Sequence, residues 1–349
     1  MSTFVRLTLG AALAVLCASS GAPARAIEPF NEQFWTPVQI SIWPPVQIPN
    51  DSCTVYGLSL GLLRVGIHEK VVHDALGDDA EDVIGFQGAL YDSYSRNLYG
   101  VQLSGCFSSC SKNLIGAQAS LIGNMADRIP CGVQCAGLAN YVKRDVGFGI
   151  QLAGFCNEAA SLTGVQAALA WNQCESGAGL QFSLANAAYK EYSGIQLGLF
   201  NWGEAKHGRI ERNRETKDGH ILSQGRATSS HDGVGDLRGL QFGLVSKAVD
   251  FYGAQCGLAW NDARDGAGLQ FGFLNTADTM VGVQAGLLNW HTQSMTGLQV
   301  GLFNRATSMT GLQLGLFNQA STMTGIQIGL LNVIKENTAL LIPLVNAHF

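Results

Sequence analysis

One octad recurs along most of this chain and restricts its fold more than any other feature: Gly-apolar-Gln-x-(Gly/Ala/Ser)-x-x-Asn. Clear copies are Gly297-Leu298-Gln299-Val300-Gly301-Leu302-Phe303-Asn304 and its successors at 311–318 and 325–332. Counting a divergent first copy, the leading glycines stand at 57, 85, 100, 116, 132, 149, 164, 179, 194, 239, 253, 268, 282, 297, 311 and 325. These sixteen copies lie 14 to 17 residues apart, except for gaps of 28 after Gly57 and 45 after Gly194. Within a copy Leu312, Leu314 and Leu316 share one face, while Gly311, Gln313 and Gly315 share the other. A period of two is the signature of a strand, and Asn with nearby Ala, Ser and Thr marks a turn. About ten strand residues and about four turn residues account for each copy.

Composition narrows the class. The chain has 43 Gly in 349 residues and only 13% charged residues, against averages of about 7% and about 25%. That argues against a coiled coil, a charge-rich disordered chain and most soluble enzymes. The net charge of −5 implies no nucleic-acid partner. Arg6, the apolar run at 7–18 and the small-x-small site Ala24-Arg25-Ala26 read as an export signal over residues 1–26, cut between Ala26 and Ile27. Leu16 is too large to precede a lipidated Cys17. After Ile27 no apolar run reaches about 18 residues, so strands must make any membrane crossing.

Two architectures suit tandem short strands. In a β-solenoid every copy is equivalent. In an up-and-down barrel alternate copies end on opposite rims, which predicts a hidden period of two copies. That doubling is present. Trp171, Trp202, Trp260 and Trp290 end odd-numbered copies, and Tyr56, Tyr99, Tyr192 and Tyr252 open odd-numbered copies. Both long insertions also follow odd copies. The expectation is therefore an all-β, up-and-down antiparallel transmembrane β-barrel of about 16 strands, its Leu face to lipid, with Trp and Tyr as the two interface belts. The β-solenoid is the alternative, favoured by the Asn304, Asn318, Asn332 series, which stacked turns would align. The boundaries are an N-terminal periplasmic segment at 27–53, the repeat body at 54–334 with polar insertions at 66–84 and 203–237, and a C-terminal tail at 335–349.

The octads, the opening Trp35-Thr36-Pro37-Val38-Gln39 and Trp43-Pro44-Pro45, and the closing Pro343-Leu344-Val345-Asn346-Ala347-His348-Phe349 resemble the uncharacterised bacterial surface-repeat proteins built from tandem Gly-Leu-Gln-x-Gly-Leu-x-Asn units. The likeness spans nearly the whole mature chain. It implies an exported, surface-located protein and carries no activity, substrate or catalytic residue. The copies led by Gly85 to Gly164 depart most from the unit.

Sites for chemistry are sparse. Cys106/Cys110 and Cys131/Cys135 are spaced CxxxC, looser than structural zinc pairs, and several cysteines replace Ala or Leu of other copies, which reads as small apolar filler. Eight cysteines remain after export, an even number that permits disulfides of unspecified pairing. Asp74, Asp78, Asp79, Glu81 and Asp82 do not follow an EF-hand spacing. The second insertion, with His207, His220 and His231 among balanced charges, reads as a surface loop. There is no HExxH, Walker loop or GxSxG. The expectation is a non-enzymatic protein with no catalytic, cofactor or metal residues. It would be an outer-membrane barrel acting as a porin-like channel or surface antigen, or alternatively a secreted or surface-attached solenoid that binds or scaffolds. Expected partners are outer-membrane lipid and a small solute or extracellular partner; oligomeric state is left open.

Overall fold

The computed structural model describes residues 35–43, 46–48, 54–65, 82–203, 236–337 and 341–349. The export signal, most of both insertions, Cys53 and the acidic residues 74–81 lie outside the described residues. The described chain is all-β, and its repeats stack in parallel. Gly57 pairs with Gly85, Gly85 with Gly100, Gly100 with Gly116 and Gly116 with Gly132, residue for residue along the octad. The series continues through Gly149, Gly164 and Gly179. The fold is therefore a parallel β-solenoid, and the antiparallel barrel is corrected. Consecutive copies run the same way because each chain segment turns back through a second strand before beginning the next octad.

That return strand is visible beside the octads. Asp92–Ser95 pairs in parallel with Phe107–Ser120 at Phe107, while Leu98–Ser104 pairs with the same strand at Leu114. Each coil thus contributes one segment to an octad sheet and one to a return sheet, with the interior between them. The chain divides into two compact units, Met1–Ala187 with Ile195–Leu199, and Ala188–Gly194 with Phe200–Phe349. In the second unit the extended chain Asp236–Ile334 winds through successive coils. There the leading glycines stack as in the first unit, an added Cβ at Gly311 falling 2.1 Å from the Gly297 carbonyl oxygen.

The octad's residues follow from this stacking. Fourteen leading glycines have φ between +129° and +146°, a region that only glycine occupies readily. Gly132 and Gly149 escape it; they follow the longer spacings, and the register shifts near Asn113 and Val146 absorb the additional residues. The second glycine makes room for a side chain: a Cβ at Gly315 would sit 2.6 Å from Asn304 Nδ2.

The interior consists of four columns. Two residues before the leading glycine stand Val83, Leu98, Leu114 and Leu162 in the first unit, and Phe251, Met280, Met295, Met309 and Met323 in the second, all buried. Two residues after the Asn is a column of small residues: Cys110, Ala126, Val142, Ala159 and Cys174, then Ala248, Ala263, Ala277, His291, Ala306 and Ala320. Cysteine as small filler fits this column. The other two columns are the Gln and the Asn, both buried.

Each unit carries an antiparallel strand at one edge. Trp35–Trp43 pairs in parallel with Thr54–Gly61, placing Pro37 beneath Gly57 and Gln39 beside Ser59. Val46–Ile48 then turns back along Trp35–Trp43. In the second unit Leu341–His348 lies antiparallel along the octad led by Gly325. Pro343 sits in this terminal strand, where a missing N–H is tolerated.

Candidate binding faces

The buried amides satisfy one another. In the first unit Nε2 of Gln102, Gln118, Gln134, Gln151, Gln166, Gln181 and Gln196 each donates to Oε1 of the preceding coil's Gln at 2.7–3.0 Å. The second N–H of several reaches a carbonyl of the return strand, as from Gln118 to Met125 and from Gln166 to Gln173. The second unit repeats this from Gln255 to Gln327. The Asn series points the other way. Asn261, Asn275, Asn289, Asn304 and Asn318 donate to the following coil's Asn at 2.7–2.8 Å. They also donate to a backbone carbonyl of that coil, fixed for Asn261 by Phe271 O at 2.7 Å. The two amide ladders therefore run with opposite polarity, and their dipoles offset instead of summing along the stack.

Because the amides, the small residues and the one column of bulky apolar side chains before the leading glycines fill the interior, the octad's leucines face outward. Leu258 is 68% exposed and Phe273 54%. In the first unit the same outer surface holds a shallow apolar groove of about 650 Å³, formed where Ala119, Cys135 and Ala167 stand between Leu103, Leu152 and Phe182. The return sheet presents the opposite chemistry. Asp262 accepts from Thr276 at 2.7 Å, Asp278 accepts from Thr292, and Arg264 pairs with Asp250 at 3.2 Å and with Asp265 at 3.4 Å.

A parallel solenoid has no two barrel rims for the aromatic residues to belt. Trp202, Trp260 and Trp290 stand at the coil corner beside the Asn ladder. The Trp260 indole donates to Thr276 of the next coil at 2.9 Å, and Arg305 lies 4.4 Å over the Trp290 ring. Trp202 stacks on Phe200, and Trp171 donates to Gln173. Tyr99 and Tyr192 are buried, Tyr56 packs edge-on against Trp35, and Tyr252 is exposed with Arg238 over its ring. In a parallel stack each of these residues belongs to a corner or an inward column. For Trp260 and Trp290 the doubled period reflects packing within one corner: a large ring in one coil rests on a Thr or Arg in the next. Ala26 and Ile27 lie outside the described residues.

Burial shifts several of the described titratable groups. Burial pushes the Cys110 and Cys174 thiols up to about 12, so they stay protonated and unreactive. Burial, with the Asp250 and Glu191 carboxylates nearby, raises Asp236. Asp82 is buried and takes both Arg96 nitrogens, Nε at 2.9 Å and Nη2 at 2.6 Å, plus the Asn97 amide at 2.9 Å. His291, in the small-residue column, is lowered to about 4 by burial, partly opposed by Asp278. It contacts Gln284 Oε1 at 2.6 Å, and the competing Gln299 rung lengthens to 3.3 Å. Among the described residues no three His, Cys, Asp or Glu gather into a metal set.

Comparison with protein-family models, with curated proteins and with solved structures gives no match to this chain. The stacked repeat rests on the pairing of the strands, while the likeness to the surface-repeat family rests on the octads and the opening and closing segments of the sequence. Sequence reasoning identified the octad residues but not the strand at Pro37. Pro37-Val38-Gln39-Ile40-Ser41 keeps the octad's Gln and small residue, and only its leading Pro hid it.

Proposed function

We propose that this is a non-enzymatic, exported solenoid that acts at the cell surface as a binding or scaffold protein. The observation carrying this reading is the filled interior. Gln and Asn ladders occupy the space between the two sheets, so the chain's variable side chains are displayed outward on regular faces instead of lining a passage. The Leu face and the Thr/Asp face differ in chemistry, and regular exposed columns suit recognition of an extended partner more than turnover of a small substrate. The likeness to the surface-repeat family supports the cell-surface location, and the polar return sheet is the proposed surface for an extracellular partner.

The test is extraction and labelling. An epitope placed between residues 210 and 230 should be reached by antibody on intact cells, and the chain should leave the cell envelope without detergent. A chain that stays in the outer-membrane fraction and migrates differently when unheated would overturn the reading in favour of a spanning barrel.

A further inference from the structure

The Leu face of the second unit is too extensive and too uniform to be left to water. Over the seven octads led by Gly239 to Gly325, the first, third and fifth residues after each glycine are all Leu, Ile, Val, Phe, Ala or Cys. No charged or hydrogen-bonding side chain interrupts them. Seven strands about 4.8 Å apart, with outward side chains over about 20 Å of strand, give roughly 700 Å². The largest apolar patches on monomeric proteins are about 300–600 Å². A stable pairing of two chains covers about 800 Å² on each.

We propose that this face packs against the same face of a second copy of the chain, forming a face-to-face homodimer with the polar return sheets outward. Two features point to a second copy. First, over the first four of these seven octads the column third from the glycine alternates in size, Phe242, Cys256, Phe271 and Ala285, before Val300, Leu314 and Ile328 continue it as an even aliphatic ridge. Knobs and hollows therefore alternate at the coil rise. Another copy shifted by one coil sets its Phe rings into these hollows, which a partner of different period could do only locally. Aligned sheets pack this way about 10 Å apart. Second, the charges argue against a bilayer. Arg238, Lys247, Arg264 and Arg305 are offset by Asp250, Asp262, Asp265 and Asp278, leaving no basic excess to hold the face to anionic lipid. Pairing concerns this one face and does not depend on what the polar sheet binds.

The experiment uses residues 27–349 in detergent-free buffer, with mass followed by sedimentation equilibrium across concentration. The expected result is a dimer. Phe271→Lys with Leu302→Lys, both outward and about 40% exposed, should raise the dissociation constant at least about 100-fold by setting like charges against each other. Thr307→Lys on the return sheet should leave it unchanged. Phe271→Thr with Leu302→Thr, which adds no charge, should raise it at least about tenfold; strand circular dichroism checks that each variant folds. A soluble chain that is monomeric at every concentration overturns the pairing but leaves the scaffold reading intact. A dimer indifferent to the Leu-face variants overturns it too. So does a monomer that binds phosphatidylcholine/phosphatidylglycerol vesicles and loses that binding in the Phe271/Leu302 variants, which would assign the face to lipid.

Discussion

At the scale of single residues, stability rests on amides that are buried and mutually satisfied. Gln313 donates to Gln299 at 2.6 Å and accepts from Gln327 at 2.7 Å. Gln313→Leu leaves a buried acceptor and a buried donor unmatched, each costing about 1–3 kcal/mol. Among the described residues Gln327 Oε1 has no partner, so Gln327→Leu breaks one ladder bond and a longer bond to Val333 O at 3.2 Å, and should lose less. Urea midpoints for the two variants check this; equal shifts would mean the ladder does not act rung by rung. His291 gives the pH dependence. Its folded value, about 4, lies below the ordinary 6.5, so the unfolded chain binds a proton first as pH falls. The stability from keeping this ring neutral is fully present above about pH 6.5 and is lost progressively down to about pH 4, on the order of 3 kcal/mol. His291→Ala matches Ala277 and Ala306 in the same column and restores the Gln299–Gln284 rung. It should flatten the stability profile between pH 4 and 6.5, read from thermal midpoints at successive pH values.

At the scale of the element, the coil is the unit of stability, because each contacts its neighbours through backbone, Gln, Asn and two inward columns. Removing residues 311–324 joins Thr310 to Gly325 and brings Asn332 into the place of Asn318. The remaining coils then close in register, so the chain should fold with a modestly lower thermal midpoint. Removing seven residues, 311–317, reverses the inward and outward positions of the next strand and should abolish cooperative unfolding. Circular dichroism melts separate the two outcomes; a seven-residue deletion that melts like the fourteen-residue one would contradict the coil as the unit. The same neighbour dependence explains the odd-even pattern that suggested two rims. Trp260 sits over Thr276, and Trp290 meets Arg305, so bulk at that corner alternates without any reversal of chain direction.

At the scale of the whole molecule, a stack of parallel strands must end without offering an open edge. Leu341–His348 covers the last octad in antiparallel register, from Gly325 opposite His348 to Val333 opposite Leu341. A chain ending at residue 340 should therefore associate through the bared strand, seen as light scattering that grows with time and protein concentration. A truncated chain as monodisperse as the full one would show that this edge needs no cover. The alternation of Leu312, Leu314 and Leu316 with Gly311, Gln313 and Gly315 was legible in the sequence as strand, and it correctly separated inward Gln from outward Leu. The reading of several cysteines as small apolar filler agrees with the place of Cys110 and Cys174 in the small-residue column. The alternation did not determine direction, and the expected reversal at every copy does not occur. A barrel and a solenoid impose the same period of two on each strand, since that period comes from the geometry of a single extended chain. Whether the next octad runs up or down depends on the return segment between them, such as Asp92–Ser95, whose pairing with Phe107 is a contact between coils. The octad by itself determined strands with a polar side and an apolar side. Only the tertiary structure decided that the polar side is a packed core between parallel coils and not the lining of a barrel, because aligned amides can satisfy their hydrogen bonds there solely when neighbouring coils run the same way and in register.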